Sequence, residues 1–315
     1  MSGQRDQERI PLGSTEIQVS PLGLGAWAWG DRFYWGYGRG YEEPDVREAF
    51  ETSLAAGINF FDTAESYGRG LSERLLGERV RASGQPVVVA TKFMPYPWRL
   101  AKGRLLAALR GSQERLGLSQ VDLYQIHWPF PPVGIETWME GMAEAVEQGL
   151  IRAVGVSNYN ADQMKRANEA LLERGLRLGS NQVDYSLLNR KVEHDGLLDL
   201  CQRLGITLIA YSPLAQGMLT GKYTPEHPPP GIRGLRYRAD LLDRIQPLIG
   251  LMQEIGREHG GRSPAQVALN WTICKGSLTI PGAKNAHQAQ ENAGALGWRL
   301  TEAEMAALDQ ASQGI

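Results

Sequence analysis

Three short apolar runs end in residues able to do chemistry: INFFD in Asp62, VVVATK in Lys92 and DLYQIH in His127. A fourth such residue, Tyr67, follows Asp62 in the segment NFFDTAESYGRGLSE. An Asp and a Lys at adjacent strand ends can pair, which keeps a buried ammonium charged. A phenol beside that ammonium is expected to have its pKa, ordinarily about 10, pulled down. Such a phenol could protonate a carbonyl oxygen while hydride arrives at carbon, with His127 sharing the oxygen as a hydrogen-bond donor. Each residue alone is as readily a capped or solvated strand end, and only their coincidence favours chemistry.

That coincidence depends on the elements that carry them. The apolar runs fall at 22–27, 58–62, 87–92, 122–127, 151–157, 180–185, 206–211 and 277–282. Helical patterns lie between them at 44–56, 72–82, 100–116, 135–148, 161–174 and 195–204, with two more between 241 and 275. Pro44 and Pro264 stand where first-turn prolines belong, and Gly57, Gly117, Gly205 and Gly276 follow helices as terminating glycines do. The runs are apolar on both faces, as strands of a covered parallel sheet must be. Eight of them with helical crossovers predict an α/β fold, a (β/α)8 TIM barrel, with a doubly wound open sheet as the competitor. IPLGSTEIQVSPLG predicts an N-terminal β-hairpin, and two extra helices are expected near 241–260 and 301–311. Residues 1–315 read as one domain with a polar tail at 1–8. The Pro-rich, arginine-bearing segment 223–244 reads as a long mobile loop. In such a barrel, function gathers where the strands end. Ser157, Asn158, Gln182 and Tyr211 therefore join the suspects.

Composition narrows the classes further. With 33 Lys plus Arg against 35 Asp plus Glu the formal charge is −2, so no basic field draws the chain to nucleic acid or anionic lipid. Hydrophobic residues at 42% and charged residues at 22% describe a globular chain, and 37 glycines predict many tight turns and close backbone approaches. Cys201 and Cys274 lie in apolar helical stretches without metal-ligand spacing, so buried reduced thiols and a cytoplasmic location are expected. No run is long enough for a transmembrane helix. A Rossmann fingerprint, a Tyr-x-x-x-Lys pair and a Walker A loop are all missing. A barrel metal-hydrolase built on Asp62, Glu65 and His127 would lack a second histidine at another strand end.

The constellation closely resembles the aldo-keto reductase superfamily. The resemblance rests on DTAESYG, VVVATKF and LYQIHWP, followed in order by GVSNY, NQVDYSLLNR, AYSPLAQGMLTGKY and IPGAKNAHQAQEN, and it covers nearly the whole chain. It implies that Asp62, Tyr67, Lys92 and His127 form the catalytic tetrad of a carbonyl reductase using NADPH. By the same resemblance Ser157, Asn158 and Gln182 would bind the nicotinamide carboxamide, and Tyr211 would stack on the ring. Gly25, Ala26 and Trp27 would line the nicotinamide end. Leu214, Gln216, Gly217 and Leu219 would wrap the pyrophosphate through main-chain groups, and Ser212, Pro213 and Lys222 would also contact the cofactor. Pro281 and Gly282 form the turn after the last strand, and Lys284 would meet the 2′-phosphate, helped by Asn285 and by arginines of the 233–244 segment. Gln288 stands where many relatives carry Arg, while Glu291 and Asn292 would hold the adenine.

Residues 26–41 hold three Trp, one Phe and three Tyr, and Trp98 and Trp128 come from later rim loops. With Trp29 they predict an aromatic-walled substrate pocket suited to flat ring aldehydes. The GAWAWGDRFYWGYG stretch is most similar to the plant-plastid and cyanobacterial branch that includes pyridoxal reductase, which makes pyridoxal a candidate. The expected partner is a small carbonyl compound, the expected state a monomer, with no metal, nucleic acid or membrane. The alternative is an NADPH-binding sensor of the potassium-channel β-subunit type, which shares the fold and turns over little.

Overall fold

The computed structural model describes residues 8–230, 233, 234, 237 and 239–315. Positions 1–7 of the expected tail lie outside the described residues, as do Arg236 and Arg238 of the arginine-bearing segment. Strands β1 (Ile10–Pro11) and β2 (Gln18–Val19) pair antiparallel as the expected hairpin. Eight parallel strands follow: β3 (Leu24–Gly25), β4 (Phe60–Asp62), β5 (Val88–Phe93), β6 (Val121–Ile126), β7 (Ile151–Ser157), β8 (Leu178–Asp184), β9 (Thr207–Tyr211) and β10 (Leu278–Ile280). They pair in chain order, and bridges from Leu22 to Thr279 and from Gly25 to Gly282 join the last strand to the first. This is the (β/α)8 barrel, with helices on its outside.

The helix signals worked as capping physics requires. Pro44 is the second residue of the helix Glu43–Ala55, and Pro264 opens Pro264–Cys274 behind the Ser263 cap. Gly57, Gly117, Gly205 and Gly276 all take positive φ after their helices. The extra helices are Ala239–Glu258 and Glu302–Ala311. The first begins inside the segment expected to be loop up to 244, which corrects that boundary. A further helix, Ala286–Ala293, starts at Asn285, whose side chain accepts from the Gln288 N–H.

The barrel interior is layered. Phe60, Val88, Ala90, Leu123, Ala153, Ile209, Leu278 and Ile280 form an apolar cluster that Leu12, Ile17 and Val19 of the hairpin complete. Side chains alternate along a strand, so the residue two further on faces the same way. Asp62 follows Phe60, Lys92 follows Ala90 and Gln125 follows Leu123. The apolar floor thus passes directly into a polar layer at the strand ends.

Candidate active site

The polar layer is one hydrogen-bonded chain. Lys92 on β5 is fully buried, and its Nζ donates to Asp62 Oδ1 at 2.5 Å, the Thr63 carbonyl at 2.8 Å and the Tyr67 hydroxyl at 3.2 Å. Asp62 is also buried, and its Oδ2 accepts from Gln182 at 2.9 Å and from Gln125 at 3.1 Å. Tyr67 opens the turn Tyr67–Gly70, where Arg69 takes the left-handed conformation. His127, one residue past β6, sets its ring edge-on to Tyr67 with centroids 5.7 Å apart. The four residues expected to act together do meet.

Their electrostatics differ in one respect from expectation. Burial pushes the Tyr67 phenol up more strongly than the Lys92 charge pulls it down, and Asp62 adds to the rise. The expected lowering of its pKa is therefore corrected: Tyr67 holds its proton at neutral pH and can donate it. Burial lowers the Lys92 pKa, but Asp62 and Tyr67 outweigh it, so the ammonium stays charged. His127 falls to about 3 through burial and the nearby Lys92 charge, so its imidazole is neutral. Its Nδ1 has no hydrogen-bond partner within the described protein. The arrangement is a charged lysine behind a neutral phenol, with a neutral imidazole beside it.

The residues expected to hold a dinucleotide line the same rim. Asn158 takes positive φ, receives the Tyr211 hydroxyl hydrogen bond at 2.9 Å and donates to the His127 carbonyl at 3.1 Å. Ser157 donates to the Gln182 carbonyl at 2.9 Å. After Tyr211, positive φ recurs at Ser212, Ala215, Gln216 and Gly217, and the residues Ala215–Thr220 form a tight 3-10 turn. Such strained non-glycine positions cluster at functional sites. Pro213 and Leu219 are buried beneath the turn while Leu214 is half-buried. Gly25 and Trp27 are partly exposed and Ala26 is buried.

A cationic cluster lies further out. Lys284 is half-buried, and its pKa falls to about 8 through burial and the charges of Arg233 and Lys222. Arg233 donates to the Gln216 carbonyl at 3.2 Å. Three mutually repelling cations fit an anionic group such as a phosphate. Other expected contacts are committed elsewhere. Asn285 caps its helix, and Gln288 Oε1 accepts from the Lys284 N–H at 2.9 Å. Asn292 donates to the Gly282 carbonyl at 3.2 Å, and the Glu291 carboxylate accepts from Ser263. Pro281 is buried and Gly282 exposed at the turn between them.

The aromatic residues divide. Trp29 is fully buried and its indole N–H donates to the Ala283 carbonyl at 2.8 Å, so it is core and not pocket wall, which corrects its assignment. Trp27 faces the site instead: it stacks on Tyr34 at 5.3 Å and stands 6.3 Å from the Tyr67 ring. Trp98 is 70% exposed and stacks on Tyr96, while Trp128 stacks on Phe130. Sequence reasoning missed Gln125, which was hidden in an otherwise apolar run. It also missed the ties of the aromatic loop to the cofactor side: Tyr34 donates to Gln216 at 2.6 Å, and Lys284 donates to the Trp35 carbonyl at 2.9 Å.

Among the described residues no His, Cys, Asp and Glu group could hold a metal ion, and no helix is long and apolar enough to cross a membrane. Comparison with known proteins gives consistent matches. The aldo/keto reductase family model matches residues 21–313. The chloroplastic pyridoxal reductase of Arabidopsis thaliana is 43% identical over 97% of this chain and 86% of its own. An uncharacterized oxidoreductase of Mycobacterium tuberculosis is 40% identical over 94% of this chain and 90% of its own. An aldo-keto reductase of Klebsiella pneumoniae, solved in complex with NADPH, is 28% identical with a TM-score of 0.75, covering 96% of this chain and 94% of that one.

Proposed function

The chain belongs to the aldo/keto reductase family, and we propose that it reduces aldehydes and ketones to alcohols with NADPH. The observation that carries this reading is the hydrogen-bonded chain from Asp62 through Lys92 to Tyr67, with neutral His127 at its side. NADPH, when bound, supplies the hydride. Tyr67 gives its proton to the carbonyl oxygen, and the Lys92 ammonium stabilises the phenolate left behind. Neutral His127 donates a ring N–H to the same oxygen and orients the carbonyl. Asp62 holds Lys92 charged despite its burial.

Ser157, Asn158 and Gln182 would hold the carboxamide of the cofactor, Tyr211 would lie against its ring, and the turn through Gln216 and Gly217 would follow its pyrophosphate. The choice of NADPH over NADH is supported by the Lys222, Arg233 and Lys284 cluster, which suits a 2′-phosphate. The substrate is a flat aromatic aldehyde, with pyridoxal first among candidates. Trp27 and Tyr34 beside Tyr67, the Trp128–Phe130 stack at the rim and the Arabidopsis relative support that reading. A monomer in the cytoplasm completes it, consistent with two unpaired cysteines in a reducing compartment. The test is the specificity constant for pyridoxal, benzaldehyde and methylglyoxal with NADPH and with NADH. Pyridoxal with NADPH is expected to rank first, and preference for methylglyoxal or for NADH would refute the assignment concerned.

A further inference from the structure

Gln125 is fully buried at the penultimate position of β6, between Tyr124 and Ile126. A buried amide costs free energy unless its hydrogen bonds are met. Its Nε2 donates to Asp62 Oδ2 at 3.1 Å, and its Oε1 accepts from Gln182 Nε2 at 3.3 Å. Space for the side chain comes from β7, where position 155 is glycine. A Cβ there would lie 2.8 Å from Gln125 Cγ and 2.5 Å from Ser180 Oγ.

We infer that Gln125 is a positioning residue for proton donation, fixing the Asp62 carboxylate so that Oδ1 stays on Lys92. The inference rests on the reductase reading above. A carboxylate held at one oxygen alone can rotate, whereas Asp62 is pinned at both: Lys92 on Oδ1, two amides on Oδ2. The two amides are not equivalent. Gln182 belongs to the rim, where its carbonyl accepts from Ser157 and Asn158, the residues proposed to bind the cofactor. Gln125 lies deeper, on β6 two residues before His127, and among the described residues its amide hydrogen-bonds Asp62 and Gln182. Gln125 holds Asp62 from below that rim, so its bond does not compete with the contacts proposed for Gln182. The geometry of Lys92 against Tyr67 then depends on it.

The test uses Gln125→Leu, which removes the donor at similar volume, and Gln125→Met, which matches the length and flexibility of the original side chain. In both, kcat should fall about tenfold, as loss of a hydrogen bond to a charged group predicts. The KM for aldehyde and the NADPH Kd, read by fluorescence without substrate, should stay within about twofold, because Gln182 keeps its 2.9 Å bond to Asp62 when its 3.3 Å contact with Gln125 is lost. The solvent deuterium isotope effect on kcat should rise, since proton transfer is the step impaired. Gln125→Glu, which faces one carboxylate with another, should lose more than either. An unchanged kcat and isotope effect in a variant that binds NADPH normally would overturn the inference and leave the reductase reading intact. Parallel losses in kcat, KM and Kd would also overturn it, because they report general damage to the pocket. A wild-type protein that binds NADPH and reduces no carbonyl would remove both.

Discussion

The Nζ of Lys92 lies 3.2 Å from the Tyr67 hydroxyl and 4.8 Å from the centre of the same ring. One buried charge therefore touches both the oxygen that gives up the proton and the π-system that shares the negative charge afterwards. Because the phenol is otherwise pushed toward its neutral form by burial, that charge is what makes donation feasible. Lys92→Met should lower kcat by roughly 10²–10⁴-fold, the scale of general acid catalysis. It should also destabilise the fold by about 3–5 kcal/mol, because Asp62 is left buried without its cation. Steady-state kinetics and urea denaturation of the variant check both.

His127 offers a pH signature. Its folded pKa is about 3, against about 6.5 in the unfolded chain. The unfolded chain binds a proton in this window and the folded one does not. Stability should therefore decline as pH falls from about 6.5 toward about 3, by up to about 1.4 kcal/mol per unit. His127→Gln should lose this contribution, and the difference between the two denaturation curves across pH isolates it. Over the same range kcat should show no step near 6.5.

Lys284 should couple cofactor choice to pH. Its pKa of about 8 means that the free protein loses this charge as pH rises through 8. NADPH affinity should then weaken by up to about tenfold per pH unit above 8, while NADH affinity stays flat. Fluorescence titrations at pH 7, 8 and 9 would show it, and Lys284→Met should remove the difference.

The ion pair of Glu73 is structural. Its carboxylate is fully buried, accepting from Arg115 Nε and from the Thr91 hydroxyl, both at 2.6 Å. Glu73→Ala leaves a partly buried guanidinium and an unpartnered hydroxyl, and should cost about 3 kcal/mol in equilibrium unfolding. The NADPH Kd should not change, since Glu73 lies outside the barrel interior.

Much of this architecture was legible because the signals are local. Asp62, Lys92 and His127 stand out at the ends of apolar runs, and Pro44, Pro264 and the terminating glycines mark the helices. What escaped depends on direction. Trp27 and Trp29 are two residues apart on one loop, yet Trp27 faces Tyr67 and Trp29 enters the core. Past the end of β3 the alternation that sorts strand residues no longer applies, so spacing cannot separate them. Gln125 reads as one polar interruption until the register of β6 against β5 sets it opposite Lys92. Asn285 is expected to help Lys284 at the phosphate, although Asn-x-x-Gln before a helical stretch is itself a capping signature. That signal could have found the helix Ala286–Ala293.

The central claim is that Tyr67 donates the proton in an NADPH-dependent carbonyl reduction. Its most direct test is NADPH absorbance over time with pyridoxal, for the wild type and for Tyr67→Phe. Steady oxidation is expected for the wild type, and loss of at least about 10²-fold in the variant with NADPH Kd unchanged. Full activity in Tyr67→Phe would contradict it.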